Sequence, residues 1–384
     1  VSVHFDATEM SDRHARACAA IASAGLDGML LFKQESMYWL TGYDTFGFSM
    51  FQCMYVSSSG EIMLFTRRPD LLQARHTSNV EDIRIWVDRQ GVDPAAELIR
   101  ELDSFKLRGC RLGIELQSYG LKASDWRMLE PALAEYCQFE DASTLFDELR
   151  ATKSDAEIAC VRRAAELADD ALDEAIELAL PGAFEGDILA AMQGAVFRGG
   201  GDYAGNEFII GSGPAAMLVR YFSGRRRLQS GDQLTLEFAG AYARYHAAMM
   251  RTILTAPIKS AHERMFKSCL DAIEACKEVL KPGATMGQVF AAHRDVMDAA
   301  GFGHARMNAC GYGMGAVFNP LWVDPPMFYE DNPRRVSERN VFFLHMILMD
   351  EPAGKAMTLG ETVLVNKDGC ESLSRSPLEL IVNQ

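Results

Sequence analysis

Positive charge, long apolar runs and ordered cysteine spacing are all scarce in this chain of 384 residues. Lys and Arg number 38 against 53 Asp and Glu, a net charge of −15. Binding phosphate backbones needs a basic face, so the balance argues against a nucleic-acid partner. It also leaves no basic patch for an anionic membrane. No apolar run approaches the ~20 residues of a membrane helix. The stretch VSVHFDATEM lacks the basic-then-apolar order of a secretory leader. There are nine cysteines, an odd number, and none has Cys-x-x-Cys spacing. That excludes a disulfide framework and a zinc ribbon, and the expected location is the reducing cytoplasm. The run Gly199-Gly200-Gly201-Asp202 lacks the Lys-Ser/Thr of a phosphate loop.

What is present is ordinary globular composition, 48% hydrophobic and 24% charged. The length exceeds what one core usually organises, so two domains are expected, at 1–149 and 150–384. The first alternates helices (8–24, 94–103, 121–135) with short strands (29–32, 51–56, 61–65, 82–87, 111–114 and near 138–140). That alternation predicts an α/β domain. An aromatic-rich loop is expected at 43–48.

The second domain opens on Ser154-x-x-Glu157, a capping box that satisfies free backbone donors at a helix start. Apolar residues from Ile158 to Ala179 then recur at helical spacing until Pro181-Gly182. Cys269 and Cys276 lie two turns apart on a later helix, as core residues do. Leu180-Pro-Gly-Ala-Phe-Glu-Gly-Asp-Ile188 recurs as Lys281-Pro-Gly-Ala-Thr-Met-Gly-Gln-Val289. Each copy has a long helix before it and a shorter one after it. Strands are expected at 206–211, 233–254, 341–347 and 362–366. Two such halves predict helix pairs packed on one mostly antiparallel sheet, with a pocket where the halves meet.

Within this domain, Gln233, Thr235 and Glu237 alternate with Leu234, Leu236 and Phe238, the period of a strand. After a turn at Gly240–Arg244, His246, Ala248 and Met250 share a face of the return strand. A carboxylate in so apolar a run is either turned to water at an edge or held in a pocket for chemistry.

These features, with Tyr38-Trp39-Leu40-Thr41-Gly42-Tyr43, Leu149-Arg150, Gly211-Ser212-Gly213-Pro214, Arg251-Thr252 and Asp368-Gly369, resemble the creatinase/aminopeptidase P/methionine aminopeptidase superfamily. The resemblance spans nearly the whole chain. It implies a creatinase-like N-terminal α/β domain and an α+β "pita-bread" C-terminal domain with pseudo-twofold repeat. It also implies a homodimer in which the N-terminal domain caps the partner's site. The superfamily's peptidases hold two divalent ions with two Asp, one His and two Glu. Here those positions fall on Glu237, Ala248, Tyr312, His345 or Ile347, and Gly360 or Glu361. Too few ligands remain for a dinuclear centre. The expectation is no metal, no cofactor, and neither aminopeptidase nor prolidase activity.

The metal-free branch, creatinase and ectoine hydrolase, splits C–N bonds of small amidine-like molecules. Glu237-x-Ala-Gly-x-Tyr242-x-Arg244-Tyr245-His246 resembles the ectoine hydrolase pattern. So do Gly200-Gly201-Asp202-Tyr203, Gly311-Tyr312, Pro320-x-Trp322, His345 and Glu361. One departure is Arg220, where the branch keeps a catalytic histidine; a guanidinium stays protonated and cannot serve as a base. Another is Met250 in place of creatinase's glutamate. A third is Met50 in place of its capping-loop arginine.

The reading that follows is a metal-independent hydrolase of a non-peptide C–N bond in a small cyclic amidine or amide, such as ectoine. Glu237 acts as nucleophile or base. His246 or His345 shuttles the proton, and Tyr312, in a glycine-rich loop, holds the substrate. Arg220 takes a substrate carboxylate, Glu361 a cationic amidine, and Phe48, Tyr203, Tyr242 and Trp322 complete the binding set. A lyase or isomerase acting on a related zwitterion, and a non-catalytic binding module, are the alternatives.

Overall fold

The computed structural model describes residues 4–220 and 224–384. The Val1–Val3 end of the stretch read for a leader lies outside them. The chain divides into two compact units, Val1–Arg150 and Ala151–Gln384.

In the first unit, six strands form one sheet. They are β1 (Gly28–Leu31), β2 (Cys53–Ser57), β3 (Ile62–Arg67), β4 (Asp82–Trp86), β5 (Arg111–Ile114) and β6 (Gln138–Asp141), in the order β4-β3-β2-β1-β5-β6. Helices α1 (Ala7–Ser23), α2 (Gln34–Thr41), α3 (Leu71–Thr77), α4 (Pro94–Leu102), α5 (Ala123–Ala134) and α6 (Leu145–Ala151) accompany it. The strands and the longer helices stand where periodicity predicts. Helices α2, α3 and α6 are additions. In α2 seven of the eight residues are buried, so no polar face marks its period.

The second unit is a nine-stranded sheet with two helix pairs, the pita-bread arrangement. Its helices are α7 (Asp155–Leu178), α8 (Glu185–Arg198), α9 (Ser260–Val279) and α10 (Met286–Ala299). Its strands are β7 (Ile209–Ser212), β8 (Gln233–Tyr242), β9 (Tyr245–Thr255), β10 (Ala309–Gly313), β11 (Asp324–Tyr329), β12 (Val341–Asp350), β13 (Lys355–Val365), β14 (Cys370–Ser372) and β15 (Ile381–Asn383). Seven run in the order β11-β10-β12-β13-β9-β8-β7, all antiparallel, with β14 on β13 and β15 on β9. The capping box forms: Ser154 accepts from Glu157 N–H, and Glu157 from Ser154 N–H. Glu157 also accepts from the Tyr245 hydroxyl at 2.7 Å, tying α7 to the hairpin. Gly240 makes close packing possible there, since a Cβ would lie 2.0 Å from the Ala164 carbonyl of α7.

The internal repeat is structural. Gly182 and Gly283 adopt the same left-handed turn, φ 93° and 91°. Gly182 donates to Leu228 O and accepts from Arg227; Gly283 donates to Val336 O and accepts from Arg335. The same backbone bond and the same arginine-to-carbonyl bond recur in both halves, which chance similarity of a helix turn would not produce.

Three local expectations change. The hairpin turn is only Ala243-Arg244, both at positive φ (49° and 63°), so the strands run closer to the tip. The strand expected at 362–366 starts at Lys355. Tyr312 lies on β10 rather than in a loop. Gly311 and Gly313 serve strand packing: a Cβ on either would come within 2.3 Å and 2.5 Å of the Phe343 and Asp324 carbonyls.

Candidate functional site

Strand alternation decides which residues meet. Glu237 faces Met250 across the hairpin, and Gly360 faces both Met250 and His345. Tyr312 stands opposite Phe343. These side chains share the sheet face away from the helix-packed core, in which Leu344, Met346 and Leu359 take part. On the open face lies a cavity of about 490 Å³, where Glu237, Tyr312, His345, Arg220 and Trp322 come together. Among the described residues its wall is otherwise mostly apolar, with Ile209, Val219, Met250, Met307 and Ile347, and the remaining polar side chains are Asn206 and Asn308.

Among the described residues Glu237 is the one carboxylate lining this cavity. Burial pushes its pKa up to about 7, opposed by a hydrogen bond from Tyr312 and by the Arg220 charge. The Tyr312 hydroxyl donates to Glu237 Oε1 at 3.4 Å and accepts from Trp322 Nε1–H at 2.8 Å. Burial holds the phenol well above its usual pKa, so it keeps its proton. His345 packs against Tyr312 with the rings tilted, centroids 5.5 Å apart. Burial, and then His293, lower its pKa to about 3, so the imidazole is neutral at physiological pH. Its Nδ1 is buried without a hydrogen-bond partner among the described residues.

Other expected site residues are placed elsewhere. His246 is fully buried and pairs with Ala241, four residues along from Glu237. Its Nε2 accepts from Gly205 N–H and its Nδ1 lies 2.8 Å from the Arg244 carbonyl, so both nitrogens are engaged. Burial lowers its pKa to about 4. A neutral imidazole with both nitrogens engaged shuttles no proton to Glu237; it holds the 202–206 loop. Glu361 stands opposite Leu344, on the helix side of the sheet. There it is ion-paired with Lys277 of α9 and accepts from Ser372 at 2.8 Å, so it is not available to a cationic substrate in the cavity. Tyr203 is 76% exposed and packs on Phe197. Tyr242 is the last residue of β8 and falls on the opposite face from Glu237. Neither lines the cavity. Phe48 belongs to the first unit, in a half-buried 3-10 turn at Gly47–Ser49. Asn206, Met307 and Asn308 went unnoticed in the sequence because loop and strand-edge residues carry no periodic signal.

The peptidase metal set does not fit here. Pairing places Gly360, not Glu361, on the open face with Glu237, Ala248, Tyr312 and the fourth position, His345 or Ile347. At most the first and fourth carry an ordinary ligating group. A Cβ on Gly360 would lie 2.9 Å from the Phe343 ring, so the space for a longer side chain is filled. Among the described residues no group of three or more His, Cys, Asp or Glu is placed to hold a metal ion. None of the described helices is long and apolar enough to cross a membrane.

Comparison with known proteins agrees with the architecture. Residues 159–367 match "Metallopeptidase family M24" and residues 13–152 match "Creatinase/Prolidase N-terminal domain". The chain is 29% identical over 403 aligned positions to an ectoine hydrolase of Halomonas elongata, covering 100% of this chain and 99% of that protein. It is 26% identical to a probable dipeptidase PepE of Mycobacterium tuberculosis, covering 99% and 98%. A crystal structure of prolidase from Thermococcus sibiricus superposes with a TM-score of 0.87 at 19% identity, covering 97% and 99%.

Proposed function

Because the chain belongs to metallopeptidase family M24 and is a hydrolase of that family, we propose that it opens a non-peptide C–N bond in a small cyclic amidine or amide without a metal ion, with ectoine or a close analogue as substrate. The observation that carries this reading is Glu237, the one carboxylate among the described residues lining the cavity, on a sheet face where Ala248, Tyr312 and Gly360 stand at the other ligand positions. The full-length similarity to an ectoine hydrolase supports it.

An amidinium is attracted to the Glu237 carboxylate, and a carboxylate on the same molecule to Arg220. Glu237 takes a proton from water as the oxygen adds to the amidine carbon. The C–N electrons then pass to the ring nitrogen, which takes that proton back. Direct attack by Glu237 followed by water gives the same product. His345, neutral, accepts an N–H without repelling the cation. A homodimer is part of the same proposal, and sedimentation reads it directly.

Incubating the purified protein with ectoine in ¹⁸O-labelled water, followed by NMR and mass spectrometry, tests the reaction. A ring-opened product carrying one labelled oxygen is expected. An unsaturated or rearranged product without label would replace hydrolysis by elimination or isomerisation. No turnover of cyclic amidines, with cleavage of Xaa-Pro dipeptides once Mn²⁺ is added, would overturn the reading.

A further inference from the structure

We propose that Trp322 is a positioning residue for Glu237, acting through the Tyr312 hydroxyl. The inference rests on the role given to Glu237 above. An indole nitrogen only donates. Trp322 Nε1–H points at Tyr312 Oη from 2.8 Å, and both side chains are buried. The phenol oxygen is therefore an acceptor on that side, and its own proton must go elsewhere. The acceptor the described residues offer is Glu237 Oε1, at 3.4 Å. The Tyr312 ring plane is already set by Phe343 and His345, with centroids 5.4 Å and 5.5 Å away. The hydroxyl rotor is the one freedom left, and the indole removes it. A hydrogen bond accepted by the oxygen also polarises its O–H and strengthens what it donates.

No other residue on the neighbouring strands does this. Glu237 is faced by Arg220 from the loop after β7, Tyr312 from β10 and His345 from β12, while β9 brings the uncharged Met250. Arg220 acts on Glu237 through its charge, and it is exposed. Trp322 is the group that converts a general electrostatic preference for the carboxylate into a fixed direction for one of its oxygens.

Trp322→Phe keeps an aromatic side chain and removes the N–H. We expect kcat to fall ~10-fold with KM within ~2-fold, and the acid limb of the pH profile to move up by about half a unit. Tyr312→Phe falls further, and adding Trp322→Phe to it changes nothing more. Multiplying effects in the double variant, or an unchanged limb in Trp322→Phe, would overturn the proposal.

A substrate-free arm separates this from failure of the proposed reaction. The Glu237 titration, assigned by its loss in Glu237→Gln, is read from the carboxyl infrared band. It should shift in Trp322→Phe but not when that change is added to Tyr312→Phe. If Trp322→Phe does not fold, the wild-type indole ¹⁵N–¹H resonance serves. It should move as Glu237 titrates and stop moving in Glu237→Gln. An indole signal indifferent to that titration would refute the coupling.

Discussion

Each unit buries a glutamate whose pKa burial pushes up to about 7, yet the two do different work. Glu115, just past β5, is fully buried. It accepts from Phe32 N–H at 2.9 Å, Lys33 N–H at 2.8 Å and Ser36 Oγ–H at 2.5 Å. Those donors lie at the end of β1 and the start of α2, so the carboxylate holds a strand-to-helix corner. Among the described residues Glu237 has one hydrogen bond, a long one at 3.4 Å, and it lines the cavity. A carboxylate can accept about four hydrogen bonds. A raised pKa therefore does not separate the two; unspent acceptor capacity facing open space does.

The contrast is broken most directly by Glu237→Gln. Loss of the base or nucleophile is expected to cut kcat by ~10³-fold while the melting temperature holds or rises. A variant retaining more than a tenth of the activity would return Glu237 to a structural role. Glu115→Ala should do the reverse. It strands two buried backbone donors and a hydroxyl, at about 3 kcal/mol of stability by denaturant titration. A loss within error would show that the corner holds itself.

The pH dependence sharpens the same comparison. A free glutamate titrates near 4.3. A carboxyl raised to about 7 in the folded state contributes stability that is full below ~4.3 and is lost as pH rises through 7. For Glu115 the fall is on the order of 2–3 kcal/mol between pH 4.5 and 8. It is smaller for Glu237, whose carboxyl meets the cavity. Glu115→Gln should flatten the slope in denaturant titrations at several pH values. Activity has the opposite sign, because the Glu237 carboxylate forms only as pH passes 7, so kcat climbs where stability declines. A slope unchanged by Glu115→Gln would assign it to other groups.

Much of this geometry is written locally in the sequence, and the rest is not, for identifiable reasons. The period of two from Gln233 onward, the Ser154–Glu157 box and the duplicated Pro-Gly turn all depend on neighbours a few residues apart. Glu237, Tyr312, Trp322 and Arg220 at one cavity follow from the resemblance laid over that pattern. His246 could not be placed, because what engages it is the Gly205 N–H, 41 residues upstream. Helix α2 hides because burial on every side erases its period. The register of β12 on β13 is also invisible, since Gly360 and Glu361 are equally plausible until pairing is seen, and a slip of one exchanges the faces.

That register carries the smallest expected effect. Glu361 is buried on the helix side, paired with Lys277 and Ser372. Losing a partner from a buried pair can cost several kcal/mol. Here Lys277 keeps Glu274 at 3.0 Å, and glutamine can still accept from Ser372. Glu361→Gln should therefore cost only about 1 kcal/mol, and kcat and KM should stay within ~2-fold. The result would set two glutamates of the second unit apart, Glu237 removable at the cost of activity and Glu361 at a small cost in stability. A tenfold drop in kcat with unchanged stability would instead put position 361 on the cavity face. It would move Gly360 to the helices and reopen the question of a fifth ligand.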